Sequence, residues 1–106
     1  MIITRTPLRI SIGGGGTDLP SYYKKHGGFV ISAAISKHIF ILLNRTFSPG
    51  YLIKYASMEH VENIDQIVHP LVREALKIQN IKTGLEIVSV SDVMAGTGLC
   101  SSGTFT

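Results

Sequence analysis

The sequence predicts an α+β domain, and three observations carry that prediction. Runs rich in Ile, Val and Phe over residues 2–12, 29–45, 51–56 and 83–90 read as strands. One stretch places apolar residues at helical spacing: Ile64, Ile67, Val68, Leu71, Val72, Ala75 and Leu76. The strands at 29–45 and 51–56 follow each other across the turn signal Ser48-Pro-Gly50, which is the pattern of an antiparallel meander. At 106 residues the chain is one domain at most. Such a length buries roughly two thirds of its unfolded surface, enough for a core.

The elements are justified in chain order. Residues 2–12 are β-branched and extended, and Pro7 marks an edge, a bulge or a break between two short strands. Residues 13–18 form a glycine loop. Residues 19–26 begin a helix, with Asp18 as a possible N-cap, Pro20 in the first turn and Gly27-Gly28 as the stop. Residues 29–34 and 35–45 read as two strands, and 51–56 as a further one. Pro70 cuts the helical recurrence, which favours a short turn at 63–68 and a main helix from near Pro70 to Asn80. Residues 83–90 return to a strand. A second glycine-serine loop, Ala95-Gly-Thr-Gly-Leu-Cys-Ser-Ser-Gly103, follows. No internal repeat is present.

Composition narrows the function classes. Charged residues make up 16% and apolar residues 44%, which argues against disorder. The net charge of +3 is uneven: residues 1–58 hold seven basic residues and one acidic, and residues 59–106 hold three basic and six acidic. No basic run exceeds two residues and no aromatics interleave with the charges, so nucleic acid is disfavoured as a partner. The single cysteine, Cys100, excludes an intrachain disulfide framework and fits a reducing compartment. Apolar runs fall short of a membrane span, and the N-terminus lacks the layout of a signal peptide. The expected location is cytoplasmic.

Asp18 is the only acidic residue among the first 58 and ends the glycine run Ile10-Ser-Ile-Gly-Gly-Gly-Gly-Thr-Asp18. A carboxylate there would repel a pyrophosphate but accept hydrogen bonds from ligand hydroxyls, the way sugars are often held. The surrounding positive field suits an anionic ligand. The alternative, a plain helix N-cap, stays open beside it. In the second loop, Gly96, Gly98 and Gly103 permit backbone angles that turn successive amides inward as an anion nest. Ser101, Ser102 and Thr104 add hydroxyls for phosphate or magnesium. The lysine of a Walker loop and the third glycine of a dinucleotide fingerprint are both missing, and a plain flexible turn is the alternative. Arg9, on the strand before the first loop, suits a phosphate or developing negative charge, or else a solvated strand position. Lys24 and Lys25 read as a solvated helix face. The four histidines show no metal-ligand spacing. Tyr22, Tyr23 and Cys100 read as packing residues.

In this order the two loops resemble the GHMP sugar-kinase superfamily, which includes galactokinase and the homoserine, mevalonate and phosphomevalonate kinases. The segment Thr6-Pro-Leu-Arg-Ile-Ser-Ile-Gly-Gly-Gly-Gly-Thr-Asp-Leu-Pro-Ser-Tyr-Tyr-Lys-Lys-His-Gly-Gly28 is similar to the D-glycero-D-manno-heptose 7-phosphate kinase branch. The resemblance implies an N-terminal half with a ribosomal protein S5 domain 2-like sheet. It also implies ATP-dependent phosphoryl transfer to the anomeric hydroxyl of a heptose 7-phosphate, with ATP and Mg2+ as cofactors. By position, Gly14, Gly15, Gly16, Thr17 and Asp18 would bind the sugar, and Arg9 would stand near the transferred phosphate. Gly96, Thr97, Gly98, Leu99, Cys100, Ser101 and Ser102 would wrap the ATP phosphates, with Ser102 the magnesium contact.

The chain departs from the family loop at two points: Met94 replaces a proline and Cys100 a glycine. A side chain at a glycine-only backbone angle costs about 1 kcal/mol or more. The family's magnesium-binding acid and catalytic aspartate lie beyond the last residue. Residues 1–106 therefore read as a truncated N-terminal, ATP-binding part of a GHMP kinase without its C-terminal domain, expected to be inactive alone. Two alternatives stay open: an inactive remnant or nucleotide-binding pseudoenzyme, and an S5-like nucleic-acid-binding module.

Overall fold

The computed structural model describes residues 1–94 and 96–98. Five strands form one mixed sheet. β1 (Ile2–Gly13) is an edge strand, paired antiparallel to β2 (Ile31–Arg45). β3 (Tyr51–Lys54) and β4 (Met58–Val61) form a short hairpin. β5 (Leu85–Ser91) runs antiparallel to β2 and parallel to β3, giving the order β1-β2-β5-β3-β4. Helix α1 (Pro20–His26) lies between β1 and β2, and α2 (Pro70–Ile78) between β4 and β5. The α+β class expected from the sequence therefore holds.

The meander expected over residues 29–56 is corrected. β2 and β3 run in opposite directions but do not pair, because β5 lies between them. The cause sits in the turn between β2 and β3. Thr46 N–H donates to Gly84 O (2.9 Å), and the amides of Gly84 and Leu85 donate to Gly50 O (2.9 and 3.1 Å). Gly50 N–H in turn donates to Thr83 Oγ1 (2.7 Å). These bonds hold the two turns together, so β5 enters beside both strands. Parallel β3 and β5 require a crossover, and α2 supplies it.

Residues 29–34 and 35–45 are not two strands, since β2 starts at Ile31 and runs unbroken to Arg45. The irregularity lies in its pairing instead. The register with β1 shifts between Pro7 and Arg9, and again between Ser11 and Gly13. Pro7 thus sits on an edge strand beside a bulge, where its missing N–H costs no ladder bond. Leu8, at the shift, is the one residue of β1 that is fully buried.

One face of the sheet carries the core. Tyr51, Ile53, Leu85 and Ile87 from β3 and β5 pack with Ile67 and with Val72 and Leu76 of α2. Burying each aliphatic side chain contributes roughly 1.5–3 kcal/mol. Of the helix residues expected to pack, Leu71 is half-buried and Ala75 is exposed, so the buried stripe is narrower than the spacing suggested. Pro70 occupies the first helical position, where its missing N–H is harmless. Asn80 takes φ 52° and Ile81 N–H returns to Leu76 O (3.2 Å), which ends the helix. Buried Tyr51 donates its hydroxyl toward Ile81 O and Lys82 O.

Glu59 ties β4 to the start of α2. Its carboxylate accepts Tyr55 OH (2.8 Å), Val68 N–H (2.6 Å) and His69 N–H (3.1 Å). Burial favours its neutral form, but the bonds from Val68, Tyr55 and His69 outweigh burial and hold its pKa below the ordinary glutamate value. The same carboxylate raises the Tyr55 phenol, chiefly through the hydrogen bond between them, with burial adding to it. No helix among the described residues is long and apolar enough to cross a membrane.

Candidate functional site

The first glycine loop is folded by one hydroxyl. Thr17 Oγ1 lies 2.7 Å from Gly14 O and 3.0 Å from Phe29 O, and it accepts Phe29 N–H at 3.1 Å. Thr17 N–H also donates to Gly14 O (3.1 Å). The loop and the stretch entering β2 are thereby stapled together, twelve residues apart. Two glycines make the approach possible. Gly14 has φ +84°, and a Cβ there would lie 1.9 Å from Phe29 O. A Cβ at Gly28 would lie 2.4 Å from Thr17 O. Thr17, expected to contact ligand, uses its hydroxyl inside the fold. Gly15 and Gly16 are exposed on the loop.

Asp18 does not cap α1, which corrects that alternative. The cap position is Leu19, with no side-chain cap, and Pro20 follows at the first helical position. The helix begins just after Leu19 without help from Asp18. The Asp18 Oδ1 atom turns back to accept Gly16 N–H at 3.0 Å. Its Oδ2 has no hydrogen-bond partner among the described residues. The carboxylate borders an open cleft of about 510 Å3, lined also by Thr17, Tyr23, Gly27, Gly28, Phe29 and Val30. Exposed Lys24, Lys25 and His26 crowd the last turn of α1 beside it. This is a carboxylate with a free oxygen in a cationic neighbourhood, suited to the hydroxyls of an anionic ligand.

The second loop is described only in part. Gly96 and Gly98 take φ +83° and +72°, while Thr97 between them does not take a positive φ. Alternating φ signs are one element of an anion nest. Leu99, Cys100, Ser101 and Ser102 lie outside the described residues, as do the roles expected of them. Among the described residues no group of three His, Cys, Asp or Glu side chains is placed to hold a metal ion. Where the chain leaves β5 toward this loop, Asp92 is clasped to β2. His38 N–H donates to Asp92 Oδ2 (2.8 Å), Asp92 N–H donates to His38 O (3.0 Å), and His38 Nδ1 stands 3.7 Å from the carboxylate.

Arg9 is exposed on β1 opposite Ala34, just past the register shift, and forms no ion pair among the described residues. Sequence reasoning misses the Thr17 staple, the Asp92 clasp and the Glu59 hub. Each joins a side chain to a backbone group of a distant segment, and neither spacing nor composition carries such a signal. The described residues gather Asp18, Thr17 and Gly28 around one cleft, with Gly14 bonded to Thr17 behind it. They do not bring Gly96, Thr97 or Gly98 to it.

No protein-family profile matches the chain, but individual proteins do. The D-glycero-alpha-D-manno-heptose 7-phosphate kinase of Campylobacter jejuni subsp. jejuni serotype O:2 is 31% identical over 119 residues, covering 97% of this chain and 34% of the relative. A crystal structure of a sugar kinase from Campylobacter jejuni superposes with a TM-score of 0.71 at 27% identity, covering 97% of this chain and 37% of that one. At 20% identity, a D-glycero-D-manno-heptose 1-phosphate kinase from Bacteroides thetaiotaomicron has the same fold, with a TM-score of 0.78 over 93% of this chain and 36% of its own. A mevalonate kinase does so at 19% identity, with a TM-score of 0.71 over 98% of this chain and 37% of its own. The chain is thus a homologue of the heptose phosphate kinases of the GHMP superfamily, matched over about a third of their length.

Proposed function

We propose that this chain carries the sugar-binding loop and the start of the ATP-phosphate loop of a sugar kinase acting on a heptose 7-phosphate at its anomeric hydroxyl. The observation that carries the reading is Asp18: a carboxylate with one oxygen left free, on a residue that lines an open cleft and on a loop that Thr17 holds in shape. In this role Asp18 accepts hydrogen bonds from sugar hydroxyls and sets the sugar's orientation. Gly14, Gly15, Gly16 and Thr17 shape the loop around it. Arg9 offers its exposed guanidinium to the phosphoryl group in transit, which comes from ATP. The amides of Gly96, Thr97 and Gly98 cradle phosphate, with residues 99–102 continuing that loop and Ser102 as the magnesium contact. Catalysis of this class rests on positioning and charge stabilisation rather than on covalent steps by the protein. The fold is the S5 domain 2-like half of a GHMP kinase on this reading, residues 1–106 are part of its ATP-binding N-terminal domain, and the cytoplasm is its place of work.

The test is a titration of the 15N-labelled chain with D-glycero-D-manno-heptose 7-phosphate and, separately, with ATP. The sugar phosphate is expected to shift amides of residues 14–18 and 27–30, and ATP those of residues 96–98. Asp18→Asn should abolish the first response and spare the second. A chain that answers to neither ligand but binds RNA in a salt-dependent way would replace this reading with a nucleic-acid module.

A further inference from the structure

Phe29 combines an exposed side chain with a held backbone. Its side chain is 73% exposed, while both polar atoms of its backbone meet one hydroxyl. Its N–H donates to Thr17 Oγ1 and its C=O lies 3.0 Å from the same hydroxyl. Both flanking approaches depend on glycine, at Gly14 and at Gly28. The arrangement fixes the backbone that carries an aromatic ring and leaves the ring exposed. It stands on the lining of the cleft bordered by Asp18, and Tyr23, 44% exposed, lines the same cleft.

We infer that Phe29, with Tyr23 on the lining of the same cleft, is the stacking platform for the ring of a phosphorylated sugar. The inference rests on the reading of the Asp18 loop as the sugar site. A pyranose ring has an apolar face of C–H groups and an edge of hydroxyls. The ring faces of Phe and Tyr carry partial negative charge and a large apolar area, which suits the C–H face. The free Oδ2 of Asp18 suits the hydroxyl edge. Neither feature fits a bare anion, which the carboxylate would repel. The cations that such a ligand's phosphate needs are at hand, since Lys24 and Lys25 stand in the last turn of α1, just before Gly27. Aromatic platform, carboxylate and cations together select a cyclic polyol bearing a phosphate. Phe29 is then a specificity-determining residue, because it reads the ring rather than the charge.

The test compares the parent chain with Phe29→Ala, Phe29→Tyr and Phe29→Leu, titrated with D-glycero-D-manno-heptose 7-phosphate and followed by the amide shifts of residues 14–18. Phe29→Ala should weaken binding about fivefold to tenfold. Phe29→Tyr should restore it and Phe29→Leu should not, because a flat ring rather than apolar bulk is required. Hydrogen exchange at the Thr17 and Phe29 amides should be unchanged in all three, since the staple uses only backbone atoms of residue 29. Equal affinity of parent and Phe29→Ala would overturn the platform and leave the Asp18 site standing. Full rescue by Phe29→Leu would overturn it as well. A parent chain that binds no sugar phosphate at all would overturn the platform and the Asp18 reading together.

Discussion

The staple between the first glycine loop and Phe29 makes a prediction that four alanine substitutions separate into its physical parts. At Gly14 two costs combine. Its φ of +84° disfavours any side chain by about 1–2 kcal/mol. Its Cβ would also lie 1.9 Å from Phe29 O, well inside the 3.0 Å below which real Cβ contacts essentially do not occur. Backbone displacement of that kind adds about 1–3 kcal/mol. Gly14→Ala should therefore destabilise the loop by about 2–5 kcal/mol. Gly16 has φ +90° but open space around its Cβ, so Gly16→Ala isolates the backbone term. Gly28 has no positive φ but a Cβ position 2.4 Å from Thr17 O, so Gly28→Ala isolates the clash. Gly15 has neither, and Gly15→Ala should be neutral or gain about 0.4–1 kcal/mol from the restricted unfolded chain. The assay is urea denaturation followed by circular dichroism, with hydrogen exchange at the Thr17 and Phe29 amides to locate the loss. If Gly14→Ala matches Gly15→Ala in both measurements, the staple does not exist as described.

The remaining predictions concern the other long-range ties. Glu59→Ala removes the acceptor for two amides and a phenol and should cost about 1–3 kcal/mol in urea midpoint experiments. Because the folded Glu59 pKa is depressed, its contribution is full above the ordinary glutamate value and is lost as pH falls through the folded value. The acid limb of a plot of Tm against pH should flatten in Glu59→Gln, and an unchanged limb would deny Glu59 this role. Tyr51→Phe leaves the carbonyls of Ile81 and Lys82 without their donor and should lower stability by about 1 kcal/mol, while Tyr22→Phe, on exposed α1, should do nothing measurable. Asp92→Ala should raise hydrogen exchange at the His38 amide, whereas Asp92→Asn, which keeps an acceptor, should not; equal exchange in both would remove the clasp.

What the sequence discloses, and what it withholds, follows from the range of each interaction. Pro7, Pro70 and Asn80 act on their own backbone, so the edge strand, the helix start and the helix end are all legible. β4 is not, because Met58-Glu-His-Val61 is short and half polar and becomes a strand only by pairing with β3. The place of β5 between β2 and β3 is hidden for a related reason. Alternation of apolar residues reports that a strand exists and which side faces the core, but not which strand lies beside it. Asp18 stands out by charge counting alone. Its capping role fails because the cap position falls one residue later, at Leu19, and the Asp18 carboxylate turns back to the Gly16 amide instead. Thr17 belongs to the loop that the sequence singles out, but the bonds of its hydroxyl to the protein's own backbone are not legible there.

The strand register bears on how the two loops relate. β1 and β5 both run antiparallel to β2, so the first loop and the second leave the same end of the sheet. They do not leave at the same height. Gly13 is opposite Ile31, whereas Ser91 is opposite Ile39. About eight residues of strand at about 3.3 Å each separate the two departure points by roughly 26 Å. Phosphoryl transfer needs its reacting atoms about 3–3.5 Å apart, so the strand ends alone cannot assemble the proposed site. On the proposed reading the chain beyond β5 has to close that gap. The Asp92 clasp starts to close it, since its bonds to His38 carry the β5 contact one residue further toward Ala34. Of the two arginines on β1, Arg5 lies opposite Phe40, outside the interval, and Arg9 lies opposite Ala34, inside it. The order along β2 is therefore the end of β1, Arg9 and the end of β5, which on the proposed reading are the sugar side, the guanidinium and the phosphate side. That is the order in which acceptor, transferred group and donor stand in the proposed reaction, and it favours Arg9 over Arg5 as the cation that meets the transferred charge.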